Sequence, residues 1–144
     1  MALTRYGRLR NYVGENFSPT TQELVDKALR YATERMEGYL RYDGTPLLDH
    51  DVEVGMIVVR EIGLGRNSLI AAILHDVMRI CSAEQPDRVE ALSAEIRAEF
   101  GDEVLGIIVG LCKISNIRLK VSKEQAEDFR DMIVSYSEDP RVIL

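Results

Sequence analysis

Positive charge is in short supply in this sequence: 18 lysines and arginines face 24 aspartates and glutamates, for a formal charge of −6. That balance argues against a broad nucleic-acid footprint and against an acidic lipid surface, while leaving room for a local basic pocket. Cysteine is scarce too. Cys81 and Cys112 lie in apolar runs without a Cys-x-x-Cys partner, which reads as two buried thiols in a reducing compartment and not as a disulfide or a zinc site. No apolar run is long enough to span a bilayer, and the opening MALTRYGRLRNY is polar and basic with no apolar stretch behind it, unlike a secretory signal. A cytoplasmic protein with no membrane or direct nucleic-acid partner is expected. Glycine-rich phosphate loops, internal repeats, heptads and low-complexity tracts are also missing.

What is present suffices for one core. A chain of 144 residues with 46% hydrophobic content buries roughly 68–70% of its unfolded surface by ordinary scaling. Residues 1–19 are aperiodic, with Gly7 and Gly14, and are expected as a loosely packed arm. Thr20-Thr-Gln-Glu23 has capping-box spacing, and Leu24, Ala28, Ala32 and Met36 follow at helical intervals, predicting a helix over about 21–40. Arg41-Tyr-Asp-Gly44-Thr-Pro46 demands a turn. A second helix begins near His50 or Asp51 and carries Val54, Val58 and Ile62, with Met56-Ile-Val-Val59 also readable as a strand. Asp49 and Asp51 suit the positive end of that helix as caps. After Gly63-Leu-Gly65 comes the most apolar helical segment, about 67–81, with His75 and Asp76 within it. Val89, Leu92, Ile96 and Phe100 mark another helix, stopped by Gly101, and Asp102 opens a short one. Residues 113–122 are expected as a mobile loop and about 123–137 as a last full helix. Asp139-Pro140 launches a further helix that Leu144 cuts off, which suggests that the natural sequence continues. The expected fold class is all-α, about six to seven helices, with a compact helical domain over 20–144 that lacks a final helix.

Polar groups set among so many apolar neighbours must be hydrogen-bonded, paired or bound to a metal. His75 and Asp76 are adjacent, so on a helix they diverge by about 100°, yet both can reach one ion placed against that side. His50 is the only other histidine, and an antiparallel pair of helices would bring it toward His75. Two imidazoles and a carboxylate suit a borderline divalent metal, which can polarise a phosphoryl oxygen and activate a water. Two histidines and one aspartate are a weak motif by themselves, and hydrogen bonding to buried backbone accounts for them equally well. Arg41 can hold phosphate bidentately or simply be solvated.

A resemblance narrows these alternatives. Arg41-Tyr-Asp-Gly44-Thr-Pro46-Leu-Leu-Asp-His50 followed by Ala71-Ala-Ile-Leu-His75-Asp76-Val77 resembles the amino-terminal HD domain of the RelA/SpoT alarmone synthetase/hydrolase family. Phe100-Gly101-Asp-Glu-Val104, Val109-Gly-Leu-Cys-Lys113, Gln125-Ala-Glu-Asp-Phe-Arg-Asp-Met132 and Asp139-Pro-Arg-Val-Ile-Leu144 match in the same order, over roughly residues 24–144. The resemblance implies a helical, manganese-dependent domain that removes pyrophosphate from the 3′ position of guanosine tetra- and pentaphosphate in the stringent response, with a synthetase domain following in the full-length protein. It implies His50, His75 and Asp76 as metal ligands, Arg41 at the nucleotide pocket, and Gly44 and Pro46 as the turn shaping that pocket. Lys113 matches a position to which no role beyond packing or pocket edge is assigned.

The departures from the family pattern matter as much. Active members follow His-Asp with Val-Val-Glu-Asp, whereas this chain has Val77-Met78-Arg79-Ile80. An arginine accepts no proton at neutral pH, and its charge opposes a nearby cation. Met36 stands where the family usually carries histidine, and a Leu-Ala-Asp-Arg-Leu-His-Asn segment with a fourth ligand would fall beyond Leu144. The expectation is therefore a degenerate hydrolase-type domain, weakly active or inactive, binding metal weakly or not at all and kept for regulation. An Arg79–Asp76 ion pair standing in for the metal would fit it. The alternatives are an active metal-dependent hydrolase in the full-length protein and a helical interaction module without nucleotide chemistry.

Overall fold

The computed structural model describes residues 6–117 of the chain, with side chains through Cys112. The helix expected at about 123–137, the Asp139-Pro140 start and the side chain of Lys113 lie outside the described residues. Within them the chain is helical, with no strand beyond one isolated antiparallel bridge between Leu40 and Pro46.

Helix α1 spans Gly7–Asn16, where a loose arm was expected. The two glycines hid its stripe: Tyr6, Leu9 and Val13 fall on one face and are buried. Arg10 clamps Asp26 of the next helix with two bonds, Nε to Oδ1 at 2.8 Å and Nη2 to Oδ2 at 3.1 Å. Helix α2 runs Pro19–Arg35, so it starts earlier and stops sooner than the capping-box spacing implied. Ser18 is the cap, its Oγ accepting from the Thr21 N–H at 3.2 Å, and Pro19 takes the first helical position, where no N–H is needed. Thr21, Val25, Ala28, Leu29 and Ala32 form its buried face.

The connection to the third helix is a tight turn. The Arg41 N–H donates to the Thr45 carbonyl at 2.8 Å and the Gly44 N–H to the Arg41 carbonyl at 2.9 Å. Gly44 has φ +88°, a left-handed conformation that only glycine adopts without strain. Helix α3, Leu47–Ile57, widens into one π-type turn over Val58–Ile62 and ends at Gly63, with φ +84°. The strand alternative for residues 56–59 is thus not adopted; the run keeps the helical spacing of its flanks.

Helix α4, Arg66–Glu84, is the axis of the domain. Every residue from Ser68 to Met78 is buried, and α4 packs against α2, α3, α5 and α6. A helix apolar on all sides can be stable only when surrounded in this way. Gly55 lets α3 approach closely, since a Cβ there would sit 2.7 Å from Leu69 Cδ1. A single 3₁₀ turn, Pro86–Arg88, leads to α5, Val89–Phe100, and Gly101 at φ +102° breaks the chain before α6, Asp102–Ile117. Helix α6 is longer than expected and absorbs residues 113–117 of the supposed loop. The reason is visible in the sequence: Ile114 and Ile117 continue the three- and four-residue spacing of Ile107 and Leu111, and no proline intervenes.

Candidate metal centre

Three polar side chains meet at the crossing of α3 and α4. His75 and Asp76 come from the middle of α4, and Asp51 comes from the first half of α3. These residues are 1%, 3% and 0% exposed, and one ligand atom of each lies within 4.8 Å of the others. Asp51 is the residue that sequence reasoning misplaced. A helix starting near residue 50 would have made it a cap, but α3 starts at Leu47, so Asp51 sits a full turn inside. Asp49 lies in the first turn and accepts a hydrogen bond from the Tyr6 hydroxyl at 2.9 Å. The available signal was positional: Leu48, Asp51, Val54 and Val58 lie on one helical stripe, and Asp51 occupies an inward-facing slot in an otherwise apolar row.

The His75 ring is set by its own helix. Nδ1 lies 2.8 Å from the Ala72 carbonyl oxygen, which can only accept, so Nδ1 carries the proton and Nε2 presents a lone pair. Nε2 is 3.6 Å from Asp76 Oδ2 and 3.9 Å from Asp51 Oδ1, too far for a hydrogen bond to either. Among the described residues, the buried side-chain nitrogens and oxygens without a hydrogen-bond partner are His75 Nε2 and both carboxylate oxygens of Asp51. Burial in this position is costly for a carboxylate, and the Asp76 charge adds repulsion, so the Asp51 pKa is driven well above the ordinary carboxylate range.

Asp76 fares differently. Burial alone would raise its pKa, but His75, then the neighbouring Asp51 carboxyl, then Arg79 through its charge and hydrogen bond, favour the ionised form and hold it at about 2. Arg79 Nε lies 2.5 Å from Asp76 Oδ1. The ion pair expected from the sequence is therefore formed, yet it engages Oδ1 while Oδ2 faces His75, and Arg79 makes no ion pair with Asp51 among the described residues. On α6 the Cys112 thiol donates to the His75 carbonyl at 3.4 Å. Burial first and the Asp76 charge second push its pKa up to about 12, so it is a neutral lid over the helix and not a thiolate ligand. Cys81 and Cys112 are both free and only half-buried.

The remaining sequence candidates surround this cluster. His50 is buried, 7% exposed, beside Asp51 on α3, but it is not one of the three residues whose ligand atoms converge. Arg41, half-buried, stands close enough for its charge to act on Asp51. Gly44 and Pro46 shape the turn that carries the chain from Arg41 into α3, Pro46 being the residue just before its first turn. Met36 is part of the apolar core. Ile80 lines a separate cleft of about 250 Å³ with Arg35, Tyr39, Cys81 and Glu84.

The donor set tests well against a divalent cation. One imidazole lone pair and two carboxylates, all buried and converging, supply the ligand types that such ions take. A dication would also meet the Asp51 carboxylate, whose oxygens have no hydrogen-bond partner among the described residues.

Comparison with known proteins adds an independent line. The HD domain family model matches residues 28–144. Over 126 residues the chain is 32% identical to a guanosine-3′,5′-bis(diphosphate) 3′-pyrophosphohydrolase of Aquifex aeolicus, covering 88% of this chain and 16% of that protein. It is 34% identical over 136 residues to the bifunctional (p)ppGpp synthase/hydrolase SpoT of Escherichia coli K12, covering 93% and 18% respectively. A GTP pyrophosphokinase of Myxococcus xanthus is 32% identical over 126 residues, covering 85% and 16%. The chain thus spans less than a fifth of the length of each of these relatives.

Proposed function

Because the chain belongs to the HD-domain family, in the form found in RelA/SpoT proteins, we propose that it is a metal-dependent hydrolase domain acting on the 3′-pyrophosphate of guanosine tetra- and pentaphosphate. The observation that carries this reading is the set of unpartnered buried atoms, His75 Nε2 and the Asp51 carboxylate, facing Asp76 Oδ2. A site that had lost its ion to a substituting arginine would leave those atoms satisfied. Here Arg79 does not reach them, which favours the active alternative over the degenerate one.

Asp51, His75 and Asp76 would hold the cation, with His50 a candidate to join them from the neighbouring position on α3. A divalent ion so held supplies Lewis-acid polarisation of a phosphoryl oxygen and a water of lowered pKa. The protein's own contribution is orientation. The Ala72 carbonyl fixes the tautomer of His75, and Arg79 fixes the rotation of the Asp76 carboxylate. Arg41, in the tight turn around Gly44, would supply a positive charge for the incoming pyrophosphate, in keeping with its influence on Asp51.

The bifunctional relative supports a second proposal, that the whole protein joins this domain to an alarmone synthetase region in the cytoplasm. Among the described residues no helix is long and apolar enough to cross a membrane. The direct test is pyrophosphate release from guanosine 3′,5′-bis(diphosphate) by the intact protein with and without Mn²⁺. Turnover that depends on Mn²⁺ and stops on chelation is expected. A folded, Mn²⁺-bound protein without turnover would return the domain to a regulatory role.

A further inference from the structure

The arginine at position 79 stands where active relatives were expected to carry an acid, and its geometry gives it a use of its own. Its Nε is committed to Asp76 Oδ1 at 2.5 Å, while the two terminal nitrogens of the guanidinium have no partner among the described residues. The side chain is 34% exposed, so those nitrogens are open to a ligand from solvent. Asp76 therefore works with both oxygens at once: Oδ2 faces His75 Nε2 at 3.6 Å, and Oδ1 anchors the guanidinium.

Charge accounting shows what this arrangement favours. The carboxylates of Asp51 and Asp76 balance one divalent cation. Arg79, paired with Asp76, and Arg41, whose charge acts on Asp51, then add positive charge beside that cation. A guanidinium held by one nitrogen, with its remaining N–H groups free in a planar fork, is suited to a phosphoryl oxygen pair. We infer that Arg79 is a substrate-binding residue: it grips the pyrophosphoryl group beside the cation held by Asp51, His75 and Asp76, and keeps hold of the pyrophosphate product.

This inference rests on the proposed metal site, but its test does not require turnover. Calorimetric titration of the intact, Mn²⁺-loaded protein with inorganic pyrophosphate should show binding in the wild type. Arg79→Gln should weaken it by roughly tenfold or more, the loss associated with a charged hydrogen-bonded contact. Arg79→Lys, which keeps the charge without the fork, should fall between them. The same variants titrated with Mn²⁺ alone should change much less than they do with pyrophosphate. Thermal melts of both variants establish that the fold is retained, and the lysine variant carries the test if glutamine perturbs it. Equal pyrophosphate affinity in wild type and Arg79→Gln overturns the inference, as does a failure of the loaded wild type to bind pyrophosphate. So does a large gain in Mn²⁺ affinity on removing the arginine, which would mark Arg79 as the cation's competitor. Arg79-dependent pyrophosphate binding without hydrolysis of guanosine 3′,5′-bis(diphosphate) would refute the proposed reaction and leave this assignment standing.

Discussion

Charged side chains are handled in opposite ways at the two sides of α4. On the α2–α5 surface, Arg35 pairs with Glu95 at 3.0 Å, Lys27 with Glu99, and the Tyr31 hydroxyl donates to Glu95, all partly exposed and all satisfied. Arg35 also stacks on the Tyr31 ring, 3.5 Å from its centroid. At the α3–α4 crossing the groups are buried and left incomplete: the Asp51 oxygens and His75 Nε2 have no hydrogen-bond partner among the described residues. Water and salt make the first arrangement cheap and of little consequence for stability. The second is expensive, and a fold keeps it only where something outside the chain completes it.

That contrast can be broken at several points. The largest effect is expected from His75→Ala, which removes a proposed direct ligand. Mn²⁺-dependent turnover should fall by more than the roughly 10–100-fold associated with losing an outer partner of a ligand. Steady-state pyrophosphate release checks this. Next comes Leu74→Ala, one residue away but purely apolar. It should cost about 2–5 kcal/mol in denaturant unfolding while leaving the Mn²⁺ affinity of the remaining folded protein unchanged.

The pH dependence of stability should show two opposed signatures. Asp76, held near 2, stabilises the fold above the ordinary carboxylate range, and that contribution is lost as pH falls from about 4 toward 2. Asp51 has a raised pKa, so the metal-free fold binds a proton that the unfolded chain has released. Stability then declines as pH rises from about 4 toward the folded-state value. Chemical denaturation of metal-free protein across pH 4–8 should therefore slope downward, and Asp51→Asn should flatten it. The smallest effect is reserved for the opposite face. Glu95→Ala should change stability by no more than about 1 kcal/mol and should leave Mn²⁺ binding alone, as the same denaturation and titration measurements would show.

Much of this architecture was legible in the chain itself. The apolar character of residues 69–78 marks α4 as central, and the His-Asp pair inside it has to be hydrogen-bonded, paired or ligated. Asp51 was harder to see, because an aspartate near a helix start is ordinarily a cap, and only the true starting point at Leu47 turns it inward. Helix α1 was obscured by two glycines whose flanking Leu9 and Val13 pack on the rest of the domain. These misses share a cause: local patterns give the period of a helix more securely than its first residue, and tertiary packing decides which face is inside. The direction of Arg79 was equally beyond the sequence. The pair with Asp76 was foreseeable from the i,i+3 spacing, but not that it takes Oδ1 while Oδ2 faces His75.

The central claim is that Asp51, His75 and Asp76 form one cation site, and Mn²⁺ titration of the intact protein against its Asp51→Asn variant tests it most directly. One Mn²⁺ should bind the wild type and raise its melting temperature. The variant should lose both effects while its metal-free form melts no lower than the wild type, because a costly buried carboxylate has been removed. Equal Mn²⁺ affinity in the two proteins would contradict the account.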